Sequence, residues 1–164
     1  MLVAAPLVAV PRRSHAAAPR TLALRHAHTG ESVAVAYAAG DAYVPQALAR
    51  LAWLLRDFRT GAVQPIDPLL FDQLHAVATA TGSRAAFEVI SGYRSPATNA
   101  ALQRSGGGVA TGSLHLQGRA IDVRLDDVPL ADLRDAALDL RAGGVGFYPQ
   151  SRFVHLDTGR VRRW

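Results

Sequence analysis

Residues 111–125 read TGSLHLQGRAIDVRL, and the second half of that stretch decides the fold. From Ala120 onward apolar and polar residues alternate, with Ile121, Val123 and Leu125 against Ala120, Asp122 and Arg124. This is the pattern of a half-buried strand that presents Asp122 away from the core. Seven residues before Asp122 stands His115, and Gly118 between them marks the loop entering the strand. Near the C-terminus, residues 153–159 read FVHLDTG and alternate again. Strand periodicity places Phe153, His155 and Asp157 on one face, with same-face neighbours about 6.6 Å apart. If these two strands lie side by side, His115, Asp122 and His155 converge on one side of a sheet. Two imidazoles and one carboxylate with a fourth position open make the ligand set of a catalytic zinc rather than a structural one. The spacing alone fits core histidines and a capping aspartate equally well, so the surroundings must decide.

Outward from these strands the pattern is α+β: a small, mainly antiparallel central sheet flanked by helices. Residues 21–38 alternate on both sides of a turn at Gly30 and read as a β-hairpin, whose His26 and His28 are taken as surface residues. Leu48, Leu51, Leu54, Leu55 and Phe58 recur at helical spacing after Pro45. A second helix starts at Asp67 and Pro68, carries Leu70, Leu74 and Val77, and ends at Gly82. AAFEVISGYRS then gives a strand with Phe87 and Val89 on one face, and Ser95 with Pro96 opens a short helix. Gly106, Gly107 and Gly108 form a loop over the site; no lysine follows, so they do not cradle a phosphate. Residues 129–141 form another amphipathic helix, and GVGFYP pairs with RFVHLDTG across the turn PQSR. No internal repeat is present.

The chain has 164 residues, 49% of them hydrophobic, which suits one compact domain. It has no cysteine, which excludes thiolate zinc fingers, iron–sulfur clusters and a thiol nucleophile, and leaves His, Asp and Glu as the strong metal ligands. The net charge is +5 and every Lys/Arg position is arginine, so an anionic partner fits: nucleic acid, an anionic membrane surface or a carboxylate-bearing wall polymer. The arginines are scattered without interleaved aromatics, which argues against nucleic acid. Ser113 lacks the nucleophile elbow of a serine hydrolase. Residues 1–20 begin with an almost wholly apolar run and continue through Ala16 to Ala18, which reads as a signal remnant and linker, with Arg12 and Arg13 on the unexpected side of the apolar run. The expected organisation is therefore that segment followed by one domain over 21–164, with no further segment long enough to span a bilayer.

The string S-x-H-x-x-G-x-A-x-D, here Ser113, His115, Gly118, Ala120 and Asp122, is preceded by SGYRS and followed by VHLDTG. It resembles the M15-type zinc peptidases that act on bacterial cell walls, and among them the murein endopeptidase branch that is MepK-related or YcbK-like. The resemblance runs from about Thr21 to Trp164. It implies a fold like that of zinc D-Ala-D-Ala peptidases and hedgehog domains, and zinc held by His115, Asp122 and His155. It also implies an oxyanion- or substrate-binding role for Arg94, with Tyr93 and Ser113 lining the substrate pocket. The implied activity is hydrolysis of stem-peptide crosslinks in peptidoglycan by a zinc peptidase domain over 21–164, exported to the periplasm. D,D-carboxypeptidase or dipeptidase activity, or a non-catalytic zinc module that grips wall peptides, are the alternatives. One departure stands out: the better-known members carry a glutamate base three residues before the last histidine ligand, where this chain has Arg152. Asp157 then reads either as the general base or as the carboxylate that orients a ligand imidazole.

Overall fold

The computed structural model describes residues 18–106 and 110–164. Most of the expected signal remnant, together with Gly107 and Gly108 of the glycine loop, lies outside the described residues. One mixed sheet of eight strands, flanked by four α-helices, organises the described residues. The strands are β1 (Arg20–His26), β2 (Ser32–Ala39), β3 (Ala42–Tyr43), β4 (Phe87–Ser91), β5 (Ala120–Arg124), β6 (Gly144–Tyr148), β7 (Phe153–Asp157) and β8 (Arg162–Arg163). Their spatial order is β3-β2-β1-β4-β5-β7-β6-β8.

The α+β class is as expected, but the sheet is wider than the small one foreseen and contains two parallel pairings, β1 with β4 and β6 with β8. Neither pairing is local in sequence. The pairing of β1 with β4 spans two intervening helices, and β8 is too short to carry an alternation of its own. The local hairpins form as read: β1 and β2 turn at Gly30, which has φ +73, and β6 pairs antiparallel with β7.

The helices follow their punctuation. In α1 (Pro45–Leu54) Pro45 occupies the first turn, but the helix stops before Phe58. The chain instead turns at Asp57, whose carbonyl accepts from the Gly61 N–H at 2.7 Å. Helix α2 (Pro68–Thr81) has Asp67 as N-cap, accepting from the Leu69 N–H, and Gly82 in the left-handed conformation at its end. Ser95 caps α3 (Pro96–Arg104) by accepting from the Thr98 N–H, and α4 spans Leu130–Asp139. Helix α2 packs on α4 and β1, α4 packs on β6 and β7, and α1 lies on β2.

The core between helices and sheet takes Leu70, Leu74 and Leu133 from the helices, and Ile121, Val123, Val154 and Leu156 from β5 and β7. Each such fully buried side chain contributes about 1.5–3 kcal/mol relative to exposure. Strand β5 departs from the half-buried expectation: its first four residues are all buried, because it is an interior strand covered on both faces. His26 is also buried rather than superficial, with Phe58 and His28 packed against its ring.

Candidate metal centre

Strands β5 and β7 pair antiparallel in a register that sets Val123 opposite Val154, Ile121 opposite Leu156, and Asp122 opposite His155. Alternation sends the four aliphatic residues into the core, so Asp122 and His155 emerge together on the other face. His115 arrives from a 3-10 turn (Leu114–Gln117) whose end is fixed by Gly118 at φ +65. A side chain at that position would collide with the Pro65 carbonyl, so glycine is needed both for the backbone angle and for the close approach.

The three side chains meet. His155 Nδ1 lies 2.8 Å from Asp122 Oδ1, His115 Nε2 lies 3.3 Å from the same oxygen, and the two nitrogens are 3.2 Å apart. Donors at 2.0–2.1 Å from a tetrahedral zinc are separated by about 3.3–3.4 Å. The triangle therefore fits zinc in size as well as in donor chemistry, and it is the one such cluster among the described residues.

The nitrogens facing away from the cluster determine which ones face it. His115 Nδ1 sits 2.7 Å from the Gly92 carbonyl, which can only accept, so Nδ1 carries the proton and Nε2 presents its lone pair. His155 Nε2 lies 3.1 Å from Asp157 Oδ2 and donates to it, leaving Nδ1 as the free donor atom. The two histidines thus offer opposite ring nitrogens.

Electrostatics favour the metal-binding forms of His115 and Asp122. Burial holds His115 below the ordinary imidazole pKa, favouring the neutral form that binds metal. Burial pushes the Asp122 carboxyl upward, but the charges and hydrogen bonds of His115 and His155 outweigh it and hold it well below the carboxylate range. For His155 burial acts downward, yet hydrogen bonds to Asp122 and Asp157 raise its pKa overall, so a metal bound at Nδ1 takes the place of the proton shared with Asp122. Arg94 approaches from the segment after β4. Its Nε donates to Ser91 Oγ at 2.8 Å and its Nη2 donates to Asp122 Oδ2, which leaves Oδ1 directed at the histidines.

Two expectations are corrected here. Asp157 does not reach the cavity; it is 0% exposed behind His155, because glycines on both neighbouring segments let the chain close over it. Its Oδ1 accepts from the Gly144 and Gly159 N–H groups at 3.0 and 2.8 Å, and Arg162 grips both oxygens at 3.1 and 2.7 Å. These contacts outweigh the effect of burial and keep the carboxyl ionised well below its ordinary range. Tyr93 does not line the cavity either: it packs against the core while its N–H donates to the Leu55 carbonyl. Ser113, Arg94, His115, Asp122 and His155 do line it, joined by Tyr148, Phe153, Arg162 and Trp164. The aromatic wall and Arg162 carry no motif, since only the pairing of the last strands brings them to the site; the glycine alternation of Gly144 and Gly146 was the available signal. Among the described lining residues Asp122 is the one carboxylate. Arg152 has φ +56 in the β6–β7 turn and is not among them.

Comparison with known proteins agrees with this constellation. The peptidase M15 family described as peptidoglycan L,D-endopeptidase MepK matches residues 14–164. The chain belongs to that family. The Escherichia coli K12 peptidoglycan L,D-endopeptidase MepK is 45% identical over 146 residues, which cover 89% of this chain and 80% of that protein. The probable MepK of Haemophilus influenzae is 45% identical over 147 residues, 89% of this chain and 79% of its own length. No solved structure matches. MepK family membership thus accords with the cell-wall peptidase resemblance carried by SGYRS, His115, Asp122 and VHLDTG.

Proposed function

We propose that this chain is a zinc-dependent peptidoglycan endopeptidase that hydrolyses an L,D peptide bond in crosslinks between stem peptides. The observation that carries the reading is the triangle of His115 Nε2, Asp122 Oδ1 and His155 Nδ1 with edges of 2.8–3.3 Å, open to a cleft and backed by fixed partners. Zinc held there would lower the pKa of a bound water toward about 7 and polarise the scissile carbonyl. The protein's own groups do the rest. The Gly92 carbonyl and the Asp157 carboxylate hold the two imidazoles in their metal-binding tautomers. Arg94 keeps Asp122 oriented and offers its guanidinium edge to a substrate carbonyl or carboxylate. Ser113, on the rim, supplies a hydroxyl for the peptide backbone. Asp157 is read as the orienting carboxylate, not as the base, because its lone pairs are committed to five donors from four residues.

A polymer bearing carboxylates suits a protein of net charge +5. Its place is the periplasm, with residues 1–20 as leader remnant and linker and 21–164 as the zinc peptidase domain. No described helix is long and apolar enough to cross a membrane. The test is digestion of purified crosslinked peptidoglycan by the zinc-loaded protein and by His155→Ala, with the new amine and carboxyl termini located by mass spectrometry. Cleavage at an L,D crosslink by the native protein alone is expected. An unchanged muropeptide pattern would overturn the reading.

A further inference from the structure

The lining of the cleft includes a partly exposed hydroxyl that has no protein acceptor for its proton among the described residues. Tyr148, on β6, lies two residues from Gly146, and Gly146 pairs directly with His155. Alternation therefore puts Tyr148 on the face that bears His155 and Asp122, about 6.6 Å along the strand from the position facing His155. The Tyr148 ring stacks on Phe153 at 4.6 Å between centroids, and both residues line the cleft. Trp164 Nε1 donates to the Tyr148 hydroxyl oxygen at 2.6 Å. An indole N–H is a donor only, so this contact uses a lone pair on the phenol and leaves the phenol O–H free to donate. No acceptor for that proton is present among the described residues.

Trp164, half exposed, is tied through its backbone and one ring face. Its backbone exchanges hydrogen bonds with Val145 and Phe147, and its ring lies 5.2 Å from the His155 imidazole and 4.8 Å from the Arg162 guanidinium carbon. It occupies space that only glycine leaves open: a side chain at Gly146 would come within 2.7–2.8 Å of the indole. The arrangement holds the Tyr148 hydroxyl oxygen on the wall of the cleft that contains the candidate metal centre, with its O–H available to a ligand there.

Resting on the endopeptidase reading above, we infer that Tyr148 is a catalytic residue that donates a hydrogen bond to the scissile carbonyl oxygen as negative charge builds on it, and that Trp164 is its positioning residue. When the water oxygen bonds to the carbonyl carbon, the C=O electron pair moves onto that oxygen, and Tyr148 stabilises it without giving up its proton. The pair returns as the C–N bond breaks, and a proton from the water ends on the leaving amine. Such a donor is stronger at the tetrahedral stage than in the ground state, so it acts on kcat rather than KM.

The test compares the zinc-loaded native protein with Tyr148→Phe, which keeps the ring stacked on Phe153, and with Trp164→Phe. A crosslinked muropeptide is the substrate, and a phosphinate pseudodipeptide is the probe of the tetrahedral state. For Tyr148→Phe we expect full zinc occupancy, KM within twofold, kcat lower by ~10²-fold, and phosphinate affinity weakened by a similar factor. Trp164→Phe should show a smaller loss of the same kind. A Tyr148→Phe enzyme with kcat within threefold of native, or one whose loss tracks loss of zinc, overturns the role of Tyr148 while leaving the endopeptidase reading intact. A native protein that cuts no crosslink overturns that reading and this one together.

Discussion

Asp157 sits two residues beyond His155 on the same face, and its two carboxylate oxygens accept from five protein donors. A carboxylate so committed cannot also take a proton from water in the cleft, but it can fix which nitrogen of His155 is free. Asp157→Asn is therefore expected to weaken zinc affinity by ~10–100-fold, with activity partly restored by excess zinc, as when the partner of a metal-bound histidine is lost. Zinc titration and crosslink hydrolysis on the same variant check this; intact affinity with a large loss of rate would instead make Asp157 the base. His115→Ala and His155→Ala remove donor atoms outright, and metal analysis should show less than one zinc per chain in both. Arg94 acts on the ligand oxygen from the other side. Arg94→Lys keeps the charge but cannot span Ser91 Oγ and Asp122 Oδ2 together, and should lower kcat/KM by ~10-fold or more.

Between residue and whole, two short connections hold the site's elements in place. The turn after α1 is fastened to α3 through Asp57, which accepts from the Ser95 N–H at 3.0 Å and the Ser95 hydroxyl at 2.6 Å. Burial raises the Asp57 carboxyl pKa, but hydrogen bonds from Ser95, Thr98 and Arg59 outweigh it and depress it below the usual range. A depressed folded-state pKa contributes stability above the unfolded value of about 4, and that contribution is lost as pH falls toward the folded value. Asp57→Ala should therefore cost ~1–3 kcal/mol at pH 7 and flatten the fall in Tm between pH 5 and 3, which thermal melts across that range would reveal. The second connection is the Gly118 turn. Gly118→Ala puts a methyl into the Pro65 carbonyl at positive φ, so the turn must move and carry His115 with it. Loss of stability of ~1–3 kcal/mol together with weaker zinc binding is expected, read by Tm and zinc titration.

For the whole molecule, the candidate ligands come from three segments far apart in the chain: the turn at His115, β5 at Asp122 and β7 at His155. A metal that binds them together favours the folded state by mass action, by about 4 kcal/mol at a thousandfold excess over Kd. Chelation should lower Tm by several degrees, and zinc should restore it; identical melts with and without chelator would argue against the site. Gln73 extends the same linkage to the helical layer. From α2, its side-chain NH2 donates to the carbonyls of Ala142 and Asp157, tying the helix to the strand that bears His155.

Local features could be read from the residues alone. Alternation around Ile121 and Val123 located β5 and turned Asp122 away from the aliphatic face; Asp67, Pro68 and Gly82 bounded α2; and the string from Ser113 to Asp122 with VHLDTG marked the candidate ligands. Those signals depend on near neighbours, where side-chain period and capping chemistry act directly. Features that depend on strand order emerged only from long-range packing: the parallel join of β1 to β4, the burial of β5 on both faces, and the withdrawal of Asp157 and Tyr93 from the cavity. It also brought Tyr148, Arg162 and Trp164 to the wall. The position of Trp164 against His155 depends on β8 pairing with β6 and on the missing side chain at Gly146. Periodicity tells which face of a strand a residue occupies, but not which strand lies beside it, and that choice is made by packing across the whole sheet.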